Sequence, residues 1–275
     1  MKVAIYQGPE FAQDVQSNLD TLAIQANQAA AQGARLLIAP EMFLTGYNIG
    51  ADSIANLAEP AAGASALRIA EIATDSEIAV LYGYPQREDD TIFNAAQLIE
   101  RDGSRLANYR KTHLFGDIDR GAFAPGDTET TIVELDDWRI GILICYDVEF
   151  PENVRRLALA GADFVAVPTA TMKPYEFVPR IMLPTRAFEN GLFVAYANHC
   201  GFEGELEYCG LSCLVGPDGV DLARADKHEA LVFAELERSL LDKWRQLITY
   251  LPDRRPGLYR SLGDDEIDIS TRTGQ

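Results

Sequence analysis

The chain has 275 residues, 47% of them hydrophobic and 9% aromatic, enough to bury a sizeable core as one large domain or two small ones. Its 42 acidic against 24 basic residues leave a formal net charge of −18, which argues against nucleic acid or an anionic lipid surface as a partner. Four cysteines (Cys145, Cys200, Cys209, Cys213) are too sparse for a disulfide scaffold and lack zinc-site spacing, and no apolar run is long enough to span a membrane.

In chain order, residues 2–7 read as a buried strand, and no apolar leader precedes them, so reduced cytoplasm is the expected compartment. Residues 14–32 carry Val15, Leu19, Leu22, Ile24 and Ala26 at roughly helical spacing, and Gly33 ends them. Residues 34–39 form a second apolar strand closed by Pro40-Glu41. A helix over 67–74 and strands over 78–84, 94–100 and 105–109 follow, with Arg101-Asp102-Gly103 as a turn. Residues 111–129 hold Gly116, Gly121, Pro125 and Gly126 and read as a long loop of the kind that is usually functional.

Strands over 130–135 and 139–144 surround Asp136-Asp137, and Pro151 opens a helix that runs to Gly161. Residues 164–167 form a strand broken by Pro168-Thr169-Ala170, and 175–190 form a helix with kinks at Pro179 and Pro184. Strands over 192–197, 210–215, 222–225 and 231–235 and a helix over 239–247 complete the pattern, ahead of a polar, extended tail from Arg254. No repeat or low-complexity linker is visible, so one layered α/β domain over 1–260, with 261–275 as a polar tail, is expected.

Three segments place reactive side chains where strands end, the usual position of sites in α/β folds. Leu37-Ile38-Ala39-Pro40-Glu41 delivers a carboxylate straight after apolar residues, either as a surface acid or as a tuned general base. Phe43 to Tyr47 would then supply an aromatic pocket edge. Tyr109-Arg110-Lys111-Thr112-His113 places an ammonium ahead of the long loop, where it could stabilise a thiolate or a developing oxyanion. Gly141-Ile142-Leu143-Ile144-Cys145 delivers a thiol into a sharp turn before a helix, a setting that would lower its pKa. Taken singly, each has an inert alternative: a surface acid, a solvated lysine, a buried structural cysteine. Together they supply a nucleophile, a base and an oxyanion stabiliser. His113, His199 and His228 lie in no context that suggests a Cys–His pair, and Cys145 lacks the glycines of a nucleophile elbow.

In these segments, and in Phe150-Pro151-Glu152, Arg186-Ala187-x-Glu189-Asn190, Gly216-Pro217-Asp218-Gly219 and Arg254-Arg255-Pro256-x-x-Tyr259, the chain resembles the nitrilase superfamily of carbon–nitrogen hydrolases, in order and over nearly its whole length. Within it, Phe43 to Gly50, Tyr82 to Pro85, Lys111 to Asp119 and Glu207 to Gly210 are similar to bacterial aliphatic amidases of the 5-aminopentanamidase type. The resemblance implies a four-layer αββα sandwich with two mixed β-sheets between helical layers. It also implies a Glu41–Lys111–Cys145 triad, no cofactor or metal, and a homodimer or higher homo-oligomer. Lys111 and the backbone N–H of Tyr146 would hold the oxyanion. A second acid in the long loop maps to Asp119, with Asp117 as the alternative.

Tyr47, Tyr146, Glu149, Thr169 and Ala170 are assigned to the substrate pocket. Many relatives carry Arg where this chain has Glu149; a glutamate would suit a cationic amine tail, unless it merely forms a surface salt bridge. Glu203, Glu205 and Glu207 form a further acidic cluster, at the pocket rim or in a solvated loop. The expected reaction is hydrolysis of a small aliphatic amide through a Cys145 thioester. A nitrilase, an N-carbamoyl amide hydrolase and, in a different class, a thiol redox protein are the alternatives.

Overall fold

A computed structural model describes residues 1–9, 12–128 and 130–260. Two sheets carry the architecture. The first is ordered β14-β1-β2-β3-β4-β5, with β1 Lys2–Gln7, β2 Leu36–Ile38, β3 Ala79–Glu88, β4 Thr91–Ile99, β5 Arg105–Arg110 and β14 Ala230–Glu235. The second is ordered β13-β12-β9-β8-β7-β6, with β6 Ile132–Leu135, β7 Trp138–Ile142, β8 Phe164–Pro168, β9 Phe193–Ala197, β12 Cys213–Val215 and β13 Asp221–Arg224. A separate hairpin pairs β10 Cys200–Glu203 with β11 Leu206–Cys209. The helices are α1 Val15–Ala31, α2 Ala51–Leu57, α3 Ala64–Ser76, α4 Gly116–Arg120, α5 Pro151–Leu159, α6 Leu183–Asn190 and α7 Arg238–Leu247.

Alternation along the strands decides the layering. Val3 and Ile5 of β1, Leu36 and Ile38 of β2, and Leu81 of β3 point into a core shared with Ile140, Ile142, Phe164 and Val194 of the second sheet. The intervening Ala4, Tyr6, Leu37, Val80 and Tyr82 face the other way, onto Leu19, Leu22 and Ala26 of α1 and Ile69 and Ile72 of α3. On the far side, Val154 and Leu157 of α5 and Leu183 and Ala187 of α6 close over the second sheet. The result is the αββα sandwich, with both sheets mixed. Each sheet repeats one pattern of pairing sense: from β14 to β5 and from β6 to β13 it runs antiparallel, parallel, parallel, antiparallel, antiparallel. No sequence repeat accompanies it, because buried strands need only apolar residues at the right period.

The expected strands and long helices are present with shifted ends, and the differences are instructive. α2 was not anticipated, since its seven residues bury only Ile54. The β10–β11 hairpin was missed because Gly201, Gly204 and three glutamates read as a solvated loop; instead Glu203 is buried and accepts from the backbone N–H of Asn48 (2.7 Å) and Tyr208 OH (2.5 Å). Glu205 is exposed, and Glu207 pairs with Lys173. The loop over 111–129 contains α4, whose first turn carries Asp117 and Asp119, where acids favour a helix start. A π-turn at Val178–Met182 runs straight into α6, and Pro184, the second residue of α6, has no N–H to donate back into that turn. The chain beyond Arg254 enters a short 3-10 turn at Pro256–Leu258 rather than staying extended. The proposed tail, 261–275, lies outside the described residues.

Candidate active site

The ends of central strands from both sheets meet at one place. After β2 the chain turns through Pro40-Glu41-Met42, and the Glu41 backbone N–H donates to the Thr169 carbonyl just past β8 (3.4 Å). The turn is held against β3: Gly83 N–H donates to Pro40 O (3.1 Å), and a Cβ at Gly83 would lie 2.4 Å from the Met42 nitrogen. Only glycine fits so close an approach. His199, fully buried, places Nε2 2.7 Å from the Glu41 carbonyl oxygen. Burial lowers the His199 pKa, so a neutral ring donates that bond.

Lys111 follows β5. Its ammonium is wholly buried and donates to Glu41 Oε1 and Asp119 Oδ2, each at 2.7 Å. Asp119 also accepts from Tyr47 OH (2.9 Å) and the Phe115 backbone N–H (2.8 Å), so it positions the lysine while α4 positions it. Asp117 is exposed and plays no part in this cluster. Burial opposes the lysine's charge, but the Glu41 carboxylate and the other acidic groups around it outweigh that, and the ammonium persists well above the usual lysine range. Glu41 Oε1 takes a second donor, Asn94 Nδ2 (2.7 Å). Its Oε2 is buried and has no hydrogen-bond partner among the described residues. Burial raises the Glu41 pKa above the usual carboxylate value, Asp119 adds to the rise, and Lys111 opposes it.

Cys145 follows β7 with φ +45°, a left-handed conformation that a residue with a Cβ adopts only under strain. It opens a 3-10 turn over Cys145–Glu149, so the chain makes an elbow without flanking glycines. The Asp147 N–H bonds to Ile144 O, and the N–H groups of Cys145 and Tyr146 precede that first bond of the turn. Asp147 locks the elbow to the lysine segment. Its buried carboxylate accepts from the backbone N–H of Ile144 (3.2 Å), Thr112 (3.2 Å) and His113 (2.8 Å), and from the hydroxyls of Tyr109 and Thr112 (each 2.9 Å). Arg186 clamps the other end of the turn, donating to the carbonyls of Val148 (3.1 Å) and Glu149 (2.6 Å). The expected lowering of the thiol pKa is overturned: burial and the nearby Glu41 charge push it up to about 12, with Lys111 and donors from Thr169 and the Ala170 N–H opposing. The resting sulfur is a neutral thiol.

Beside it opens a narrow pocket lined by Tyr47, Phe115, Cys145, Glu149, Ala170, Thr171, Met172 and Tyr175. The sequence-assigned Tyr47, Glu149 and Ala170 therefore face the pocket. Thr169 does not line it; its hydroxyl lies 3.0 Å from that of Thr171 beneath the sulfur. The Tyr146 ring packs edge-on to Phe115 and Phe150, so any part it plays is through its backbone. Glu149 makes no salt bridge among the described residues, contrary to the alternative reading. Burial raises its pKa, while Lys111 and Arg186 oppose. Asn94, Asp147, Thr171, Tyr196 and His199 were not assigned roles from the sequence, because single polar residues in or just after strands carry no distinctive pattern. Asp147 was visible as part of the Cys145-Tyr146-Asp147 segment. Among the described residues no group of three or more His, Cys, Asp and Glu could hold a metal, and no helix is long and apolar enough to cross a membrane.

An αββα sandwich with a buried acid, ammonium and thiol at its strand ends is the architecture of the nitrilase superfamily. The chain belongs to the carbon–nitrogen hydrolase family, whose model matches residues 2–246. It is 53% identical over 263 residues to a Pseudomonas protegens protein described as a hydrolase in the pqqF 5' region, covering 95% of this chain and 92% of that one. It is 34% identical to an (R)-stereoselective amidase of a Pseudomonas species, covering 93% of this chain and 92% of the other. Among solved structures, the NitN amidase of Nesterenkonia sp. AN1 superposes with a TM-score of 0.83 at 36% identity, covering 95% of this chain and 99% of that one. Solved forms of that amidase hold butyramide or acrylamide, and another carries the acetamide moiety of fluoroacetamide added covalently at its active-site cysteine.

Proposed function

We propose that this chain is an amidase that hydrolyses a small aliphatic primary amide through a Cys145 thioester. The observation that carries the reading is the division of labour at Glu41: one oxygen bound by Lys111 and Asn94, the other buried and without a donor, next to a neutral thiol. Such an oxygen is a proton acceptor waiting for a proton.

In the proposed sequence Glu41 takes the S–H proton as Sγ attacks the amide carbon. The oxyanion that forms is held by the Lys111 ammonium and the Tyr146 N–H, the latter unused within its own turn. Collapse breaks the C–N bond, and the proton on Glu41 passes to the leaving nitrogen, releasing ammonia. Glu41 then takes a proton from the water that attacks the thioester. Collapse of the second intermediate breaks the C–S bond and releases the carboxylic acid, with the proton returned to sulfur. Asp119 holds Lys111 in place throughout.

The pocket wall sharpens the substrate. Glu149 is a half-buried carboxylate with no ion-pair partner among the described residues, on a wall that, besides Cys145 and Thr171, is built from Tyr47, Phe115, Ala170, Met172 and Tyr175. An aliphatic chain ending in an ammonium would satisfy both wall and acid, so we infer an ω-amino amide. Ammonia release from 5-aminopentanamide and pentanamide, with Cys145→Ala as control, tests both levels. Release abolished by the substitution supports the amidase, and equal turnover of the two amides removes the preference for an amine.

A further inference from the structure

Once Glu41 has taken its proton, the Cys145 sulfur must carry negative charge in a site that burial makes hostile to it. Lys111 offers limited help, since two of its three protons are committed to Glu41 and Asp119 at 2.7 Å. The other side of the sulfur is different in kind. Thr171 Oγ1 lies 3.7 Å from Sγ. Behind it the hydroxyls of Tyr196 and Thr171 are hydrogen-bonded, and the Thr169 hydroxyl, which also favours the charged sulfur, lies 3.0 Å from the same Thr171 oxygen. Tyr196 and Thr169 are fully buried and Thr171 is nearly so.

The cluster is rigid. The Asn198 side chain accepts from the Thr171 N–H (2.8 Å) and donates to the Thr171 carbonyl (3.0 Å), and its amide donates also to Gly210 O (2.8 Å). Each hydroxyl has a single proton. Burial and the Cys145 charge raise the Tyr196 pKa well above the ordinary tyrosine value, so it keeps its proton, and in the arrangement proposed here it donates that proton in a hydrogen bond to Thr171 Oγ1. Thr171 Oγ1, receiving that proton, is left with its own to give.

We propose that Thr171, oriented by Tyr196, is a catalytic hydrogen-bond donor to the Cys145 sulfur: the chain Tyr196 O–H to Thr171 Oγ1–H to Sγ stabilises the sulfur whenever it is anionic. That occurs twice in the cycle, when the thiol loses its proton for attack and when the thioester C–S bond breaks and sulfur leaves with the electron pair. No proton moves along the chain. It is a fixed dipole, already aligned before charge develops, which is the condition under which a hydroxyl contributes most. The proposal rests on the reading of Cys145 as the nucleophile but not on the identity of the amide.

The test reads the sulfur directly. Iodoacetamide modifies a thiolate irrespective of turnover, and a peptide map separates Cys145 from the other three cysteines. The second-order rate of Cys145 modification would be measured against pH for the wild type, Thr171→Val, Thr171→Ser and Tyr196→Phe. A hydrogen bond to a charged group corresponds to a factor of roughly 10 to 100. Thr171→Val should therefore slow modification by about that factor, with its profile moved to higher pH, while Thr171→Ser stays within a few-fold of wild type. Tyr196→Phe should fall between them, and decides the matter alone if the valine variant does not fold. Wild-type rates in Thr171→Val, or in Tyr196→Phe, overturn the proposal; so do equal losses in the valine and serine variants, which would point to packing. Failure of wild type to release ammonia from any amide would instead strike the amidase reading and leave these rates unaffected.

Discussion

In the first sheet, β2 runs into Pro40-Glu41 and the edge strand β5 hands over to Lys111; in the second, β7 precedes Cys145 and β8 precedes Thr169 and Thr171. The two sheets share one order of pairing senses, and β2 and β8 hold the same place in it, whereas β5 lies at the edge of its sheet and β7 second in its own. What differs is the chemistry each delivers. The first sheet contributes fixed charge, with an ammonium gripped by carboxylates. The second contributes the sulfur and a set of neutral donors. The division has a physical reason. A charge is tolerated at zero exposure only when countered at once, so Glu41, Lys111 and Asp119 must come as a unit. A thiol and hydroxyls can be buried at modest cost provided their hydrogen bonds are met.

The comparison is broken most severely at the sulfur. Cys145→Ala should lower ammonia release by at least about 10³-fold while leaving the fold intact, because the site loses its nucleophile and nothing charged. In the charged sheet the order of effects reverses. Lys111→Met leaves Glu41 and Asp119 buried without a cation, and should reduce unfolding free energy by about 3–5 kcal/mol as read from a denaturant midpoint, together with the loss of activity. A variant of unchanged stability would mean that the buried charges are not coupled as the geometry states.

A backbone change separates position from charge. Gly83→Ala places a methyl against the Glu41–Met42 turn and should cost about 1–3 kcal/mol and lower kcat, with no change in any titrating group. The pH profile provides a finer probe. Glu41 acts as base only when ionised, so kcat/KM should fall as pH drops through its raised pKa, above the usual carboxylate range. The thiol, pushed up to about 12, should give no rise in rate across neutral pH. Asp119→Asn removes a neighbouring negative charge, which should move the acid limb toward lower pH; a shift to higher pH would contradict the arrangement. The smallest expected effect is Glu149→Gln, which should reduce the preference for an amine-tailed amide by roughly tenfold, as loss of a partly solvated charge pair, with little effect on the neutral amide.

The charged half of the site was legible in the sequence only as a set: Glu41 ends an apolar strand and Lys111 follows a mixed one, each with a solvated alternative, and it was their combination with Cys145 in an ordered resemblance that singled them out. Asp119 was legible through its distance from Lys111 in a pattern that resembled a family, and not from any rule about loops. The layered α/β fold followed from the strand periods. In the neutral half Cys145 was legible and the hydroxyls around it were not. Thr171 and Tyr196 are ordinary residues in or after a strand, and only the fold brings their hydroxyls under the sulfur. The direction of the Cys145 pKa was misjudged for a related reason: a turn before a helix suggests anion stabilisation, but burial beside a carboxylate has the larger effect. The hairpin at Cys200–Glu203 and Leu206–Cys209 escaped because Glu203 is bonded inward by Asn48 and Tyr208, one partner far off in the chain and the other visible only in space.

The most direct measurement is intact-protein mass spectrometry of enzyme quenched during turnover of a slow amide, followed by peptide mapping. The expected result is one acyl increment, located on the Cys145 peptide, absent from Cys145→Ala and slow to form in Glu41→Gln. Amide hydrolysis that proceeds with no increment, or that survives in Cys145→Ala, would contradict a covalent route through this sulfur.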